Sequence, residues 1–312
     1  MTSENQATSL SDLLLLQQSV LSSTQAVTYL SRDKLRRLVA SGRWSRPTRG
    51  VYVAHNGPLT REQRDWVALF ACAPGSILAG LSALSYDGLK GFEPDPPVVV
   101  QPMGAKPTSY ADAETHWSIY LDERDVHPLH SPPRTRIARS LIDAASWSLY
   151  PRRARVLIIA GMQQGLVSTR QLREALERRG ACKHRRLIVE SILDAKGGIQ
   201  SLPERDFDLL CRRAGLPKPS RQRIVRGKDG RFYLDAAWDE FDTTVEIHGI
   251  PHMWISNWDG DLLRANEISI AAGRLLIFSS YAVRHCEDQV IDQLVRMLKR
   301  GGYVPTNKKI YF

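Results

Sequence analysis

Apolar residues recur along this chain in short bursts, and their changing spacing predicts the elements. Residues 1–10 are polar and read as a frayed end. From there to about residue 21 the Leu-rich stretch reads as a first helix, with Ser11 or Asp12 as its cap and Ser22, Ser23 and Thr24 as its break. A short second helix is expected over 25–30. Ser31 caps a third over 32–40, whose apolar face is Leu35, Leu38 and Val39, and Gly42 stops it. Residues 43–46 and 51–53, joined through Pro47, Thr48, Arg49 and Gly50, read as a two-stranded hairpin. Three short helices and a hairpin predict a winged helix-turn-helix over residues 1–55.

The pattern then changes. Residues 60–73 read as a helix with Trp66, Val67, Leu69 and Phe70 on its apolar face, and 77–86 as a second helix rich in small residues. Pro94, Pro96 and Pro97 break the chain. Val98, Val99 and Val100, and residues 117–120, read as strands. A helix follows over 136–145, then three more over 151–165, 169–179 and 183–195, stopped by Gly165, Gly180 and the pair Gly197 and Gly198. That glycine pair is the linker candidate, so 56–198 forms a middle region, mixed α/β and then helical. Beyond it, residues 199–312 read as a helix opened by Ser201 and Glu204, strands at 221–226, 232–238 and 243–247, a helix at 258–272, a strand at 274–278 and a final helix at 288–300. The expected class is α+β or α/β, multidomain, with an αβββαβ core at the C-terminal end.

Composition changes this picture little. At 43% hydrophobic and 24% charged it is that of an ordinary soluble globular protein. No apolar run has the length to cross a bilayer, so no membrane partner is expected. Leu13–Leu16 lacks the flanks of a signal peptide. Cys72, Cys182, Cys211 and Cys286 form no C-x-x-C pair, which argues against a disulfide framework or a zinc site and for a reducing, cytoplasmic setting. His116, His127 and His130 make no metal motif and read as surface or satisfied residues.

Charge changes it more. The net charge is +10, which favours polyanion partners. Residues 1–200 hold 26 Lys and Arg against 18 Asp and Glu, and residues 201–312 hold 17 against 15. Seven basic residues, Arg32, Lys34, Arg36, Arg37, Arg43, Arg46 and Arg49, crowd the expected third helix and hairpin against one acid, Asp33. Phosphate contact needs such a cluster, so DNA is the expected partner, with RNA an alternative. The runs at 152–155, 178–179 and 183–186 read as solvated faces.

The chemistry concentrates in residues 233–252. Asp235 lies in one apolar run and Glu246 in the next, across a polar turn at 239–242. Paired strands can put two such acids on one face. Two carboxylates side by side repel unless a cation sits between them, and hard oxygen ligands suit Mg²⁺ or Mn²⁺. His248 sits two residues past Glu246, and His252 follows the tight turn that Gly249 permits.

This run resembles the Asp…(Asp/Glu)-x-Lys signature of the restriction-endonuclease-like, or PD-(D/E)XK, superfamily. Its His-Gly…His ending looks like the branch around the very-short-patch repair endonucleases. His248 stands where Lys is usual. The resemblance covers roughly 201–301 and extends to Trp258, Asp259, Asp261, Arg264 and Asn266. It implies a metal-dependent DNA endonuclease: Asp235 and Glu246 as metal ligands, His248 as base or water-positioner, and His252 and Glu204 as further site residues. Glu204 is equally the third residue of a capping box with Ser201. Arg264 is either a phosphate contact or the surface ion-pair partner of Asp261. Residues 17–55, with Gly-Arg-Trp and Arg-Gly-Val-Tyr-Val, resemble the N-terminal domain of AbiEi-type antitoxins of type IV toxin–antitoxin systems. That implies the rival function, a DNA-binding antitoxin or repressor whose nuclease fold has lost catalysis, with a cognate toxin or a second copy as partner.

Overall fold

The computed structural model describes residues 9–108, 110–118, 121–195, 202–226, 232–248, 262–263, 265–267, 269–270 and 274–305. For 202–205, 223–226 and 232–235 it describes the backbone. The chain is mixed α and β and divides into two compact units, residues 1–189 and 190–312. Among the described residues no helix is long and apolar enough to cross a membrane. The proposed linker Gly197 and Gly198 lies outside the described residues.

The first unit opens with α1 (Leu10–Leu16), β1 (Val20–Ser22), α2 (Ser23–Tyr29), α3 (Arg32–Ala40), β2 (Ser45–Thr48) and β3 (Val51–Val53). The expected first helix to residue 21 is too long. Ser9, not Ser11 or Asp12, caps it in a capping box with Asp12, and Gln18 and Ser19 then turn through positive φ (53° and 68°). That left-handed step ends the helix and lets Val20–Ser22 pair antiparallel with Val51–Val53. The expected hairpin is therefore a three-stranded sheet, in order β1-β3-β2. Ser22, expected to break a helix, instead caps α2 in a box with Gln25.

Next come α4 (Arg61–Ala71), β4 (Ile77–Leu78), α5 (Gly80–Tyr86), β5 (Val98–Pro102) and β6 (Glu114–Ser118). The small-residue run at 77–86 begins as a strand, not a helix: Ile77 and Leu78 pair with Val100 and Val99. Helices α6 (Ile137–Trp147), α7 (Pro151–Gln163), α8 (Thr169–Arg179) and α9 (Arg185–Ala195) follow. Gly161 of α7 faces Leu141 of α6 so closely that an added Cβ would clash with Leu141 Cδ1.

The runs at 178–179 and 152–155 are not wholly solvated. Arg139, Asp125 and Asp143 are fully buried. Arg139 Nε donates to Asp143 Oδ2 at 2.7 Å and its Nη2 to Ser118 Oγ at 3.0 Å. Arg178 reaches Asp125 Oδ1 at 2.6 Å, and Arg179 reaches Asp143 Oδ1 at 2.8 Å. Arg155 is 2% exposed. Buried carboxylates need cationic donors, and these arginines supply them to α6 and to the short 3₁₀ turn Glu123–Asp125.

The second unit carries α10 (Leu202–Arg213), β7 (Arg221–Arg226), β8 (Phe232–Trp238), β9 (Thr243–His248), β10 (Leu275–Ser279), α11 (Ser280–His285) and α12 (Glu287–Arg300). The described residues of 262–270 are helical. The sheet runs β10-β9-β8-β7; the first three strands are antiparallel in sequence and β10 joins β9 in parallel. Val245, Ile247, Ala236, Trp238, Leu276 and Phe278 bury one face against Phe207 and Leu210 of α10 and Val290, Leu294 and Met297 of α12. Apolar residues two apart on a strand share a face, which leaves Thr244, Glu246 and His248 of β9 on the other.

Candidate nucleic-acid interface and acidic site

All seven basic residues of 32–49 are exposed. On α3, Leu35 alone is buried, and Ser31 Oγ accepts from Lys34 N. Helical spacing thus turns Arg32, Lys34, Arg36 and Arg37 outward. Among the described residues only Arg36 of the seven is ion-paired, to Asp33 at 3.2 Å with both side chains 79% exposed. Such a pair is weak and easily exchanged for a phosphate. Arg46 lies over the Tyr52 ring, 5.8 Å from its centroid. The arrangement is a solvent-facing cluster of positive charge on one helix and one hairpin.

The acidic site stands on the face of the second unit's sheet opposite the one its core buries. Strand β9 alternates buried and half-buried positions: Thr243, Val245 and Ile247 inward, Thr244, Glu246 and His248 on the other face. The polar turn at 239–242 is a short 3₁₀ turn, and Asp242 adopts a left-handed conformation (φ 46°) that reverses the chain. This register puts Asp235 opposite Glu246 and Tyr233 opposite His248. Across the next strand Arg223 stands opposite Asp235. One row of the sheet therefore reads Arg223, Asp235, Glu246, Ile277. His248 Nε2 lies 2.9 Å from Glu246 Oε2, as i and i+2 neighbours on one face can.

The sequence-predicted residues thus divide. Asp235, Glu246 and His248 belong to one face. Glu204 lies near the start of α10, and its alternative partner Ser201 falls outside the described residues, as do His252, Asp261 and Arg264. Among the described residues no group of three or more His, Cys, Asp and Glu could hold a metal ion; Asp235, described by its backbone, is not among the side chains this covers. Arg221, two residues before Arg223 on β7, is engaged with Asp239 at 2.6 Å. Register places Arg221 opposite Ala237 and Arg223 opposite Asp235. The histidines of the middle region have partners: His116 stacks on Trp147 with ring centroids 3.7 Å apart and bonds Glu114 at 2.8 Å, and His127 stacks on His130.

Asn266 supports this face from behind. It is 1% exposed; its Nδ2 donates to Ile277 O at 2.9 Å and its Oδ1 accepts from Ile277 N at 2.8 Å. Ile277 is the register partner of Glu246, so this one amide ties the helical segment to the strand that flanks the acid.

The chain matches no protein-family model and no curated protein sequence.

Proposed function

We propose that this protein is a metal-dependent DNA endonuclease whose N-terminal part is a winged-helix DNA-binding module. The observation that carries the reading is the register of Asp235 opposite Glu246 on antiparallel strands, with His248 two residues on. The order helix, three strands, helix, strand around it supports a restriction-endonuclease-like core, as does the mixed sheet with β10 parallel to β9. In the first unit, three helices with a three-stranded antiparallel sheet and seven exposed basic residues support the DNA-binding module.

The donor set suits a hard divalent cation: two carboxylate residues in register on adjacent strands. Asp235 and Glu246 would hold Mg²⁺ or Mn²⁺, which when bound supplies charge against the developing negative charge of the phosphate. His248, its Nε2 2.9 Å from Glu246 Oε2, would take the water's proton or position the water beside the two acids. Arg223, in the same row, brings positive charge to the approach of a phosphodiester backbone. The exposed arginines of α3 and the hairpin hold duplex DNA through its phosphates.

A second reading rests on one observation: the residue at the usual Lys position is a histidine tied to Glu246. On that reading the chain is a DNA-binding antitoxin or repressor with a degenerate nuclease fold. Cleavage of duplex DNA, single-stranded DNA and RNA, with and without Mg²⁺ or Mn²⁺, separates the two. The wild type should cleave only with metal and gain melting temperature from it. Asp235→Asn should abolish both effects; His248→Ala should keep the metal-induced shift and cut the rate by about 10²-fold or more. A metal shift without cleavage of any substrate favours the repressor, and neither effect means the two acids are solvent-facing strand residues.

A further inference from the structure

We propose that a cleft in the first unit, between α1, the start of α2 and the C-terminal end of α4, binds a small, uncharged, aromatic molecule carrying one hydrogen-bond donor. The proposal goes beyond the nuclease reading and uses neither the acidic residues of the second unit nor the seven basic residues of 32–49.

The cleft holds about 600 Å³, within the range of small-molecule sites. Trp66 and Phe70, stacked with centroids 5.3 Å apart, form an aromatic wall, and Leu13, Leu69 and Ile77 add aliphatic surface. No Asp, Glu, Lys or Arg lines it among the described residues, in a chain of net charge +10. Its two titratable side chains are both shifted toward their neutral forms. Burial, with Arg134 and His127 beside it, pulls the His130 imidazole below its ordinary value, and burial pushes the Cys72 thiol up to about 11. A nucleic-acid backbone or an ionic metabolite would find no counter-charge here. A flat, neutral molecule would find aromatic and aliphatic surface edged by the hydroxyls of Ser22, Ser23 and Thr24.

The walls are held together. Val20, Val51 and Val53 of the N-terminal sheet share one core with Trp66, Val67 and Leu69 of α4, so the cleft is preformed and a ligand need not order it.

Gln17 supplies the polar requirement. It lines the cleft, is 6% exposed, and its Oε1 has no hydrogen-bond partner among the described residues. A buried acceptor left unpaired is costly. Because Gln17 lines the cleft, an N–H or O–H of a ligand seated there would supply the missing partner.

Indole and 1-methylindole test this on the full-length protein, because they differ in the one N–H donor. Titration calorimetry and saturation-transfer NMR should show saturable indole binding with a Kd of roughly 1 mM or tighter. 1-Methylindole should bind about tenfold more weakly. Gln17→Leu should bring the two probes to the same affinity while the protein melts no lower than wild type. Leu16→Trp, at a rim position 44% exposed and therefore tolerant, should weaken both probes by narrowing the cleft. Absence of saturable indole binding, equal affinity of the wild type for both probes, or an unchanged Kd in Leu16→Trp would each overturn the proposal.

Discussion

Asp65 illustrates what one residue does in the interior. It sits on α4, 1% exposed, where Tyr86 Oη donates to its Oδ2 at 3.0 Å. Burial raises its carboxyl from 3.8 to about 6, against the opposing pull of the Tyr86 bond. The native state therefore binds this proton more tightly than the unfolded chain does. Between pH 3.8 and about 6 the contribution of Asp65 to stability falls as pH rises, and above that it is flat. The ionised group costs about 3 kcal/mol at neutral pH. Asp65→Asn keeps an acceptor for Tyr86 and removes that cost. Melting curves from pH 4.5 to 7.5 should show the variant gaining on the wild type as pH rises and melting higher at pH 7.5; a lower melting temperature there would refute the account. Arg178 and Arg179 show the opposite: as neighbours in sequence they look like a solvated pair, yet each meets a fully buried aspartate, 53 and 36 residues away. No local pattern encodes those distances.

At the scale of elements, β10 depends on its neighbours. It is the last strand of the four-stranded sheet, paired on one side with β9. On the other, Asn266 takes both polar groups of the Ile277 backbone. Asn266→Ala leaves a buried N–H and C=O without partners, at about 2–4 kcal/mol together. The variant should melt earlier, and amide exchange at Ile277 should accelerate more than at Val245 on β9. Equal acceleration at both would mean that Asn266 stabilises the unit as a whole and not this strand. Short elements were the ones the hydrophobic pattern missed. Val20–Ser22 and Ile77–Leu78 are too short to show a period, and Ser280–His285, directly after β10, carries no break to mark it as a separate helix. Long periodic stretches such as Thr169–Arg179 were legible to the residue.

The whole molecule divides at residue 190, and this bears on how its parts fold. In the second unit Arg284, its side chain 11% exposed, donates to Asp206 at 2.6 Å and to Asp194 at 3.3 Å, and His285 lies 3.0 Å from Glu190. A fragment beginning at 199 loses Asp194 and Glu190 and leaves Arg284 half-compensated, a loss of about 1–3 kcal/mol. A fragment of residues 183–312 should melt cooperatively and at higher temperature than one of 199–312. Equal melting would place the boundary at the glycine pair. In the first unit, the exposed basic cluster predicts salt-dependent binding. Replacing Arg36 and Arg37 by Ala should weaken duplex binding and reduce the slope of log affinity against log salt by about 2. An unchanged slope in a filter-binding titration would place the DNA elsewhere.

By itself the sequence determined what depends on local period and charge: the α+β class, most helices and strands, the basic cluster at 32–49, and the two acids in successive apolar runs. It could also place Glu246 and His248 on one face, because two residues apart on a strand is a local relation. Only the tertiary structure decided the rest. Which residue faces Asp235, and that Arg223 joins the same row, follows from strand register, set by the turn at 239–242 and by which face the core buries. The pinning of Asp125 and Asp143 by distant arginines, the clasp of Asn266 on Ile277, and the uncharged cleft beside Trp66 all depend on contacts between segments far apart in the chain. Such contacts are chosen by packing and by the need to satisfy buried polar groups, which no local pattern of residues specifies.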